Sequence, residues 1–411
     1  MKKTLCITLA LLFTLALSAC GKADSPAPAV SESNPSNTPV VSESNPSNTP
    51  VVSESNPSNT PVVSVPDAGS QQGQPPSSCT FDPALFGGKL QSCAYAGDGT
   101  LFVLADKLYL YDTGAASVLA TAEAPLRDFE AQTIDGGYVL SGMGDDGMMA
   151  YIFDSSLSLK KEIAVNELLA GDFVISETGG VAASTDGKKL AFSAMGGLYL
   201  YDLESGSLTT LLNVAQNAGT AGIGISMLNG AAFAQDNSQI VFYGSGNSIP
   251  AVNGEDSFSI YGSIAVDGSG LKLTKPSAYE MEEIQSSASR LFFPQIFTQA
   301  DGTLFWIDRA TGSTNTLSFS TNSEGKDGVY SSEHGDYVAT AVLDGSLTVR
   351  VYDVASGELI ATEVIENSDT TYFNRIPRIY LLDGAKTAVV ILGGSIIEVD
   401  TLVSTFTFGE V

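Results

Sequence analysis

Seven short apolar runs, each closed by an aspartate, recur through the last three quarters of the chain. They are KLYLYD at Asp112, AYIFD at Asp154, LYLYD at Asp202, GSIAVD at Asp267, TLFWID at Asp308, VRVYD at Asp353 and SIIEVD at Asp400. Successive aspartates lie 42, 48, 65, 41, 45 and 47 residues apart, mostly the length of one four-stranded repeat. Most of the runs are followed by a Gly- or Ser-containing turn and another strand, as in DLESGSLTTLL and DVASGELIATEV, which reads as a β-hairpin. Ahead of most of them lies a second hairpin with an Asp-Gly or Asp-Asn turn, as in AASTDGKKLAFSA and AAFAQDNSQIVFY. Each unit therefore supplies four antiparallel strands.

Repeated small sheets of this kind are stable when they are arranged radially, which removes most free sheet edges. The expected fold class is all-β: a β-propeller of seven four-stranded blades, with six or eight also compatible, covering residues 79–411. Two units fit the pattern poorly. The fourth is lengthened by GSGNSIPAVNGEDSF (244–258), and SAYEMEEIQSSASRL (277–291) after it reads as a helix. In the fifth, the turn in ADGTLFWID lies too close to Asp308, so a strand is missing or reassigned. The last hairpin ends in STFTFGEV, so the first and last blades could each be complete. Ring closure would then rest on blade packing and the segment around CTFDPALF, not on a shared blade.

The stretch STDGKKLAFSAMGGLYLYDLESG (184–206) resembles the S-P-D-G-x-x-L-A-F…L-Y-x-x-D repeats of TolB-like and related WD-repeat-like propellers. It departs from them at Thr185, where the pattern has proline, and no unit carries a Trp-Asp dipeptide. The resemblance implies a fold and, as one option, a scaffold working with outer-membrane assembly machinery.

The chain begins MKKTLCITLALLFTLALSAC, with two lysines, an apolar run from Leu5 to Leu17 and small residues before Cys20. That is the layout of a secretory signal at 1–19, and the run is too short for a stable membrane span. The ending LSAC resembles the lipobox of bacterial lipoproteins, which implies cleavage before Cys20 and lipid on its thiol. Several acyl chains would hold the protein on a membrane, where one chain binds only marginally. The implied localisation is the bacterial cell envelope, with Gly21 after the cysteine favouring the outer membrane or cell surface. Residues 20–78 contain SESNPSNTPVV three times, and 21–78 hold eleven of the seventeen prolines and no aromatic residue. Such a segment has too little apolar area to offset ordering entropy, so a disordered tether is expected.

Cys79 and Cys93 remain as a pair in an oxidising compartment, and a disulfide between them is expected. Catalytic signals are sparse. His334, the only histidine, lies in the turn-like SSEHGDY, and no G-x-S-x-G elbow occurs. No catalytic residue, metal ligand or cofactor is assigned. The strand-end aspartates are expected to be turn formers. Two acidic loops, GMGDDGM (142–148) and VNGEDSF (252–258), lack the EF-hand pattern and read as solvated.

With 46 acidic and 19 basic residues, the chain loses two lysines with the signal, giving 17 − 46 = −29. That balance excludes a nucleic-acid partner and a basic lipid-binding patch. The expected function is a monomeric, lipid-anchored propeller binding a protein, peptide or glycan without catalysis. The alternatives are the envelope-assembly scaffold and a carbohydrate-active enzyme. The insertion at 244–258 is the candidate recognition loop, expected to be dispensable for stability.

Overall fold

The computed structural model describes residues 81–407 except 98, 124–125, 127–128, 145–146, 173, 175–179, 217–218, 221, 251–256, 276–283, 294–302, 320–327, 344–345, 367–376 and 393–401. All of these belong to one unit, Gln72–Val411. The signal and tether regions, Cys20, Cys79 and Asp400 lie outside the described residues.

Seven antiparallel sheets follow one another along the chain, at 92–122, 129–164, 181–213, 219–274, 285–318, 328–366 and 378–407. In each, neighbours in space are neighbours in sequence, so every sheet is a simple meander. Blades 1, 2, 3, 5 and 6 have four strands. Blade 4 has five, because a short strand, Gly219–Thr220, adds to its inner side; blade 7 has three among the described residues.

The apolar side chains do not form one central core. They divide into seven clusters, each lying between two successive sheets. Blades 1 and 2 share Phe102, Leu140 and Phe153; blades 4 and 5 share Tyr243, Phe293 and Phe305. The last cluster joins blade 7 (Leu382, Val389, Ile391) back to blade 1 (Leu101, Val103, Tyr111), and this closes the ring. Alternate side chains of a strand point to opposite faces. Each sheet is therefore apolar on both sides and depends on both neighbours.

Polar side chains stitch the innermost strands together. Pairing with the second strand defines one equivalent position in all seven blades: Ala94, Gln132, Ala182, Ala232, Gln285, Tyr330 and Tyr380. Four of these reach forward to the next blade. Gln132 donates to the Val181 carbonyl (2.8 Å) and accepts from the Ala183 N–H (2.7 Å). Gln285 repeats this with Val329 (2.7 Å) and Ser331 (3.2 Å). Tyr330 donates to the Pro377 carbonyl, and Tyr380 to that of Cys93 (2.6 Å). Each bond satisfies backbone on the free inner edge of the following sheet, which would otherwise need water. Where alanine occupies the position, other groups hold the joint. Thr133 donates back to Ala96 (2.9 Å), Asn237 clasps Thr185 (2.8 and 2.9 Å), and Arg309 spans Ser287 (2.7 Å) and Phe233 (3.1 Å).

Several sequence expectations change. Residues 285–291, read as helix, form the first hairpin of blade 5 from Gln285–Ser286 and Arg290–Phe293; 276–283 lie outside the described residues. The Ser287 hydroxyl accepts from the Arg290 N–H and donates to its carbonyl (both 3.1 Å), which makes a tight turn. Ile284 and Leu291 then enter the cluster shared with blade 4, so packing overrides the helical pattern. Blade 5 thus has four strands, and the Ala-Asp-Gly at 300–302 lies outside the described residues. In blade 7, Leu402–Thr407 pairs directly with Thr387–Leu392, where SIIEVD was expected. SIIEVD itself (395–400) lies outside the described residues.

The segment after Cys79 closes the seam, as anticipated. Phe81 and Phe86 are buried in the cluster between blades 7 and 1, their ring centroids 5.4 Å apart, both against Tyr111 (5.6 and 5.4 Å) and Phe86 also against Tyr109 (5.3 Å). Tyr95 adds a reciprocal pair to Leu381, donating to its carbonyl (3.1 Å) and accepting from its N–H (2.6 Å). Phe86→Ala should cost about 3 kcal/mol in chemical denaturation. A loss below about 1 kcal/mol would show that this segment does not hold the ring. Cys93 is buried in the same cluster, and Cys79 precedes Phe81 by two residues. We propose that the two form a disulfide. Protein unfolded without reductant should then resist thiol alkylation at both, and reduction should lower stability by about 3 kcal/mol. Ready alkylation of Cys93 before reduction would refute the bond.

Candidate functional site

A meander divides a propeller into two unlike faces. Turns between first and second strands, and between third and fourth, emerge on one side, here the turn face. Turns between second and third strands, and the links between blades, emerge on the other, the connection face.

The turn face is built of short, repeated devices. Asp112 accepts from the N–H groups of Gly114 (2.9 Å) and Ala115 (2.8 Å), Asp202 from Ser205 (2.7 Å) and Asp353 from Ser356 (2.7 Å). Asp308 binds Ala310 (3.1 Å) and Thr311 (2.8 Å), Asp154 binds Ser156 and Ser158 (both 2.9 Å), and Asp267 binds Ser269 (2.9 Å). Six of the seven strand-end aspartates are therefore turn formers, as expected, and Asp400 lies outside the described residues. The same chemistry recurs in the inner turns. Asp186 accepts from the Ser184 hydroxyl (2.6 Å), and Asp236 from the Ser238 hydroxyl (2.7 Å) and N–H (3.0 Å). Glu333 accepts from the Gly99 N–H at 3.4 Å, reaching from blade 6 past blade 7 to blade 1.

His334 is exposed in the turn between Gly328–Ser331 and Tyr337–Leu343, and its carbonyl accepts from Ser289. Burial would push the thiol of reduced Cys93 up in pKa. Among the described residues no group of three His, Cys, Asp or Glu side chains is placed to hold a metal.

The connection face is where blades differ. The described part of 244–258 is not a detachable loop, contrary to expectation. Gly244–Ser248 continue the strand Gln239–Ser248, paired with Ile223–Leu228 on one side and with Phe258–Ile260 on the other. Glycine is required in this extension. A Cβ at Gly244 would lie 2.1 Å from the Met227 carbonyl oxygen, and one at Gly246 2.7 Å from that of Gly224. Cutting 244–257 would therefore remove half of a central strand. In blade 3, the Asp172 carboxylate accepts from the Gly196 N–H (3.0 Å) and the Tyr199 hydroxyl (2.8 Å), fixing the turn that carries Met195. Burial first, and then Asp172, push the Tyr199 pKa up to about 12.

Exposed apolar side chains are distributed unevenly. Leu85, Met195 and Ile249 lie on the connection face, and Leu119, Leu159 and Val364 on outermost strands. Among the described residues none lies on the turn face. None of the six is aromatic, and the Phe258 ring is covered by the Lys275 ammonium at 3.7 Å.

These features define a seven-bladed β-propeller with a polar, capped face and a more apolar, elaborated one. No protein-family model matches the sequence, and no curated protein does so either.

The aspartate caps set an acid limit to stability. The Lys160 ammonium, then Ser156, hold Asp154 well below the usual carboxylate range. Asp186, Asp236, Asp267 and Asp308 are lowered first by a neighbouring hydroxyl, and Asp202 by the Ser205 N–H. Their folded pKa values lie below the unfolded value of about 3.9. The stability they contribute is thus present above that pH and is lost as pH falls through the folded values. Asp154→Ala should melt below wild type at neutral pH and converge with it in strong acid. A gap that does not change with pH would show that the carboxylate charge is not its source.

Proposed function

We propose that the chain is an exported, lipid-anchored propeller that binds a protein or peptide partner on its connection face. The observation that carries this is the asymmetry of the two faces. One is a set of near-identical turns whose carboxylates are spent on their own backbone. The other holds the long blade links, the blade 4 extension and three of the six exposed large apolar side chains. Binding surfaces sit on loops positioned by a rigid scaffold, and apolar groups among polar ones mark protein contact. The lack of an exposed aromatic ring among the described residues favours protein over glycan, since sugars stack on such rings. The lipobox-like Leu17–Cys20 and the Pro-rich repeats that follow support display from a membrane.

One experiment separates the faces and tests the anchor. A photo-crosslinking side chain would be placed in cells at Met195 or at Glu204, exposed positions at opposite ends of blade 3. The position of Met195 should yield a discrete adduct with a different polypeptide in the membrane fraction, and that of Glu204 should not. Cys20→Ala should release the protein from membranes. Adducts only from the Glu204 position would reverse the assigned face, and membrane retention of Cys20→Ala would remove the lipid anchor.

A further inference from the structure

Every methionine among the described residues lies at the connection-face end of three consecutive blades. Met143 and Met148 stand directly opposite each other on the second and third strands of blade 2, with Met149 next in line. Met195 occupies the corresponding turn of blade 3, and Met227 lies near the connection end of the first strand of blade 4. Burial separates the five. Met148 is 1% exposed, Met143 and Met149 pack against the clusters on either side of blade 2, and Met227 is half-buried. Met195 alone is exposed, at 36%.

The turn that carries Met195 is held from three directions. The Gly196 N–H donates to both oxygens of Asp172 (3.0 Å each), a residue of the link between blades 2 and 3. The Gly196 carbonyl accepts from the Val214 N–H (2.8 Å), just beyond the fourth strand of the same blade. A Cβ at Gly196 would lie 2.8 Å from an Asp172 oxygen, so only glycine lets the carboxylate close over the turn. Ala194, the preceding residue, is fully buried in the cluster between blades 2 and 3. The exposure of the Met195 thioether therefore does not depend on a loop movement.

We propose that Met195 is an oxidation site that switches the connection face from binding to non-binding. The proposal rests on the reading that a polypeptide partner occupies this face. The oxidant is a peroxide, met in an oxidising compartment. The thioether sulfur attacks one peroxide oxygen, the O–O bond breaks and an S–O bond forms. Sulfur loses two electrons, and the peroxide is reduced to water or an alcohol. No proton is needed from the protein. The product, methionine sulfoxide, is polar and chiral and is returned to methionine by reductases, one for each epimer. A sulfoxide oxygen in an apolar contact is an acceptor without a donor, and binding weakens by the cost of burying it. Because Met143, Met148 and Met149 are packed between blades, oxidation reaches Met195 first and leaves the fold intact.

The test uses the full-length chain carrying Cys20→Ala, to avoid detergent. After brief treatment with hydrogen peroxide, peptide mapping should find sulfoxide at Met195 before any at Met148, with an unchanged melting temperature. The polypeptide identified by the crosslinker at position 195 would then be captured from membrane extract by chain treated or untreated with peroxide. The readout is the ratio of the two captures within each chain, so the effect of a substitution itself cancels. The wild-type ratio should fall at least about tenfold and recover after treatment with the two sulfoxide reductases. In Met195→Leu the two captures should be equal. Earlier oxidation of Met148, equal wild-type captures with Met195 fully oxidised, or an equal fall in Met195→Leu would each overturn the switch alone. The absence of any crosslinked polypeptide from position 195 would overturn the reading of the face, and the switch with it.

Discussion

The joint between blade 7 and blade 1 is the contact on which the ring depends. Every other blade interface links segments that are consecutive in sequence, so chain connectivity keeps the partners near each other. The last interface joins residues almost 290 apart, as in the Tyr95–Leu381 and Tyr380–Cys93 bonds, and no described strand of one blade is supplied by the other end of the chain. Such a contact bears the full loop-closure cost before it contributes anything. The protein concentrates interactions there. Two phenylalanines enter from the N-terminal side, two tyrosines cross, and Arg378 donates to Ser92 at 2.6 Å. Because every sheet is apolar on both faces, opening this joint would expose blade 1 and blade 7 and leave each with one neighbour.

The fold was largely legible because its main signal is local. An aspartate at the end of an aromatic strand, followed by Gly or Ser, specifies a capped turn whatever the tertiary setting, and the turns at Asp112, Asp202 and Asp353 have that geometry. Where the local signal competed with packing, it misled. SAYEMEEIQSSASRL has a helix-like composition, yet Ile284 and Leu291 are fixed by neighbouring blades, and the Ser287 turn follows from that. In blade 7 two adjacent segments read as strands, and the later one, Leu402–Thr407, pairs with Thr387–Leu392.

The stitching residues were not legible for a different reason. Gln132 and Gln285 sit in short polar-apolar runs that would suit any strand. Their role appears only when register places both opposite the same rung of the second strand. The position then explains itself: it points along the ring toward the next inner edge, where a long polar side chain can satisfy two backbone groups and alanine satisfies none. The seven blades are thus equal in topology but not in how they are joined. Joints after alanine at 182 and 232 lean on Asn237 and Arg309 near the turn face.

The same unevenness governs the two faces. Carboxylates are numerous, but those described on the turn face are largely committed to caps, so their number alone is a poor guide to a binding or catalytic site. Recognition requires groups whose hydrogen-bonding or apolar capacity is left over after the fold is satisfied. On the connection face that surplus is apolar, at Met195 and Ile249.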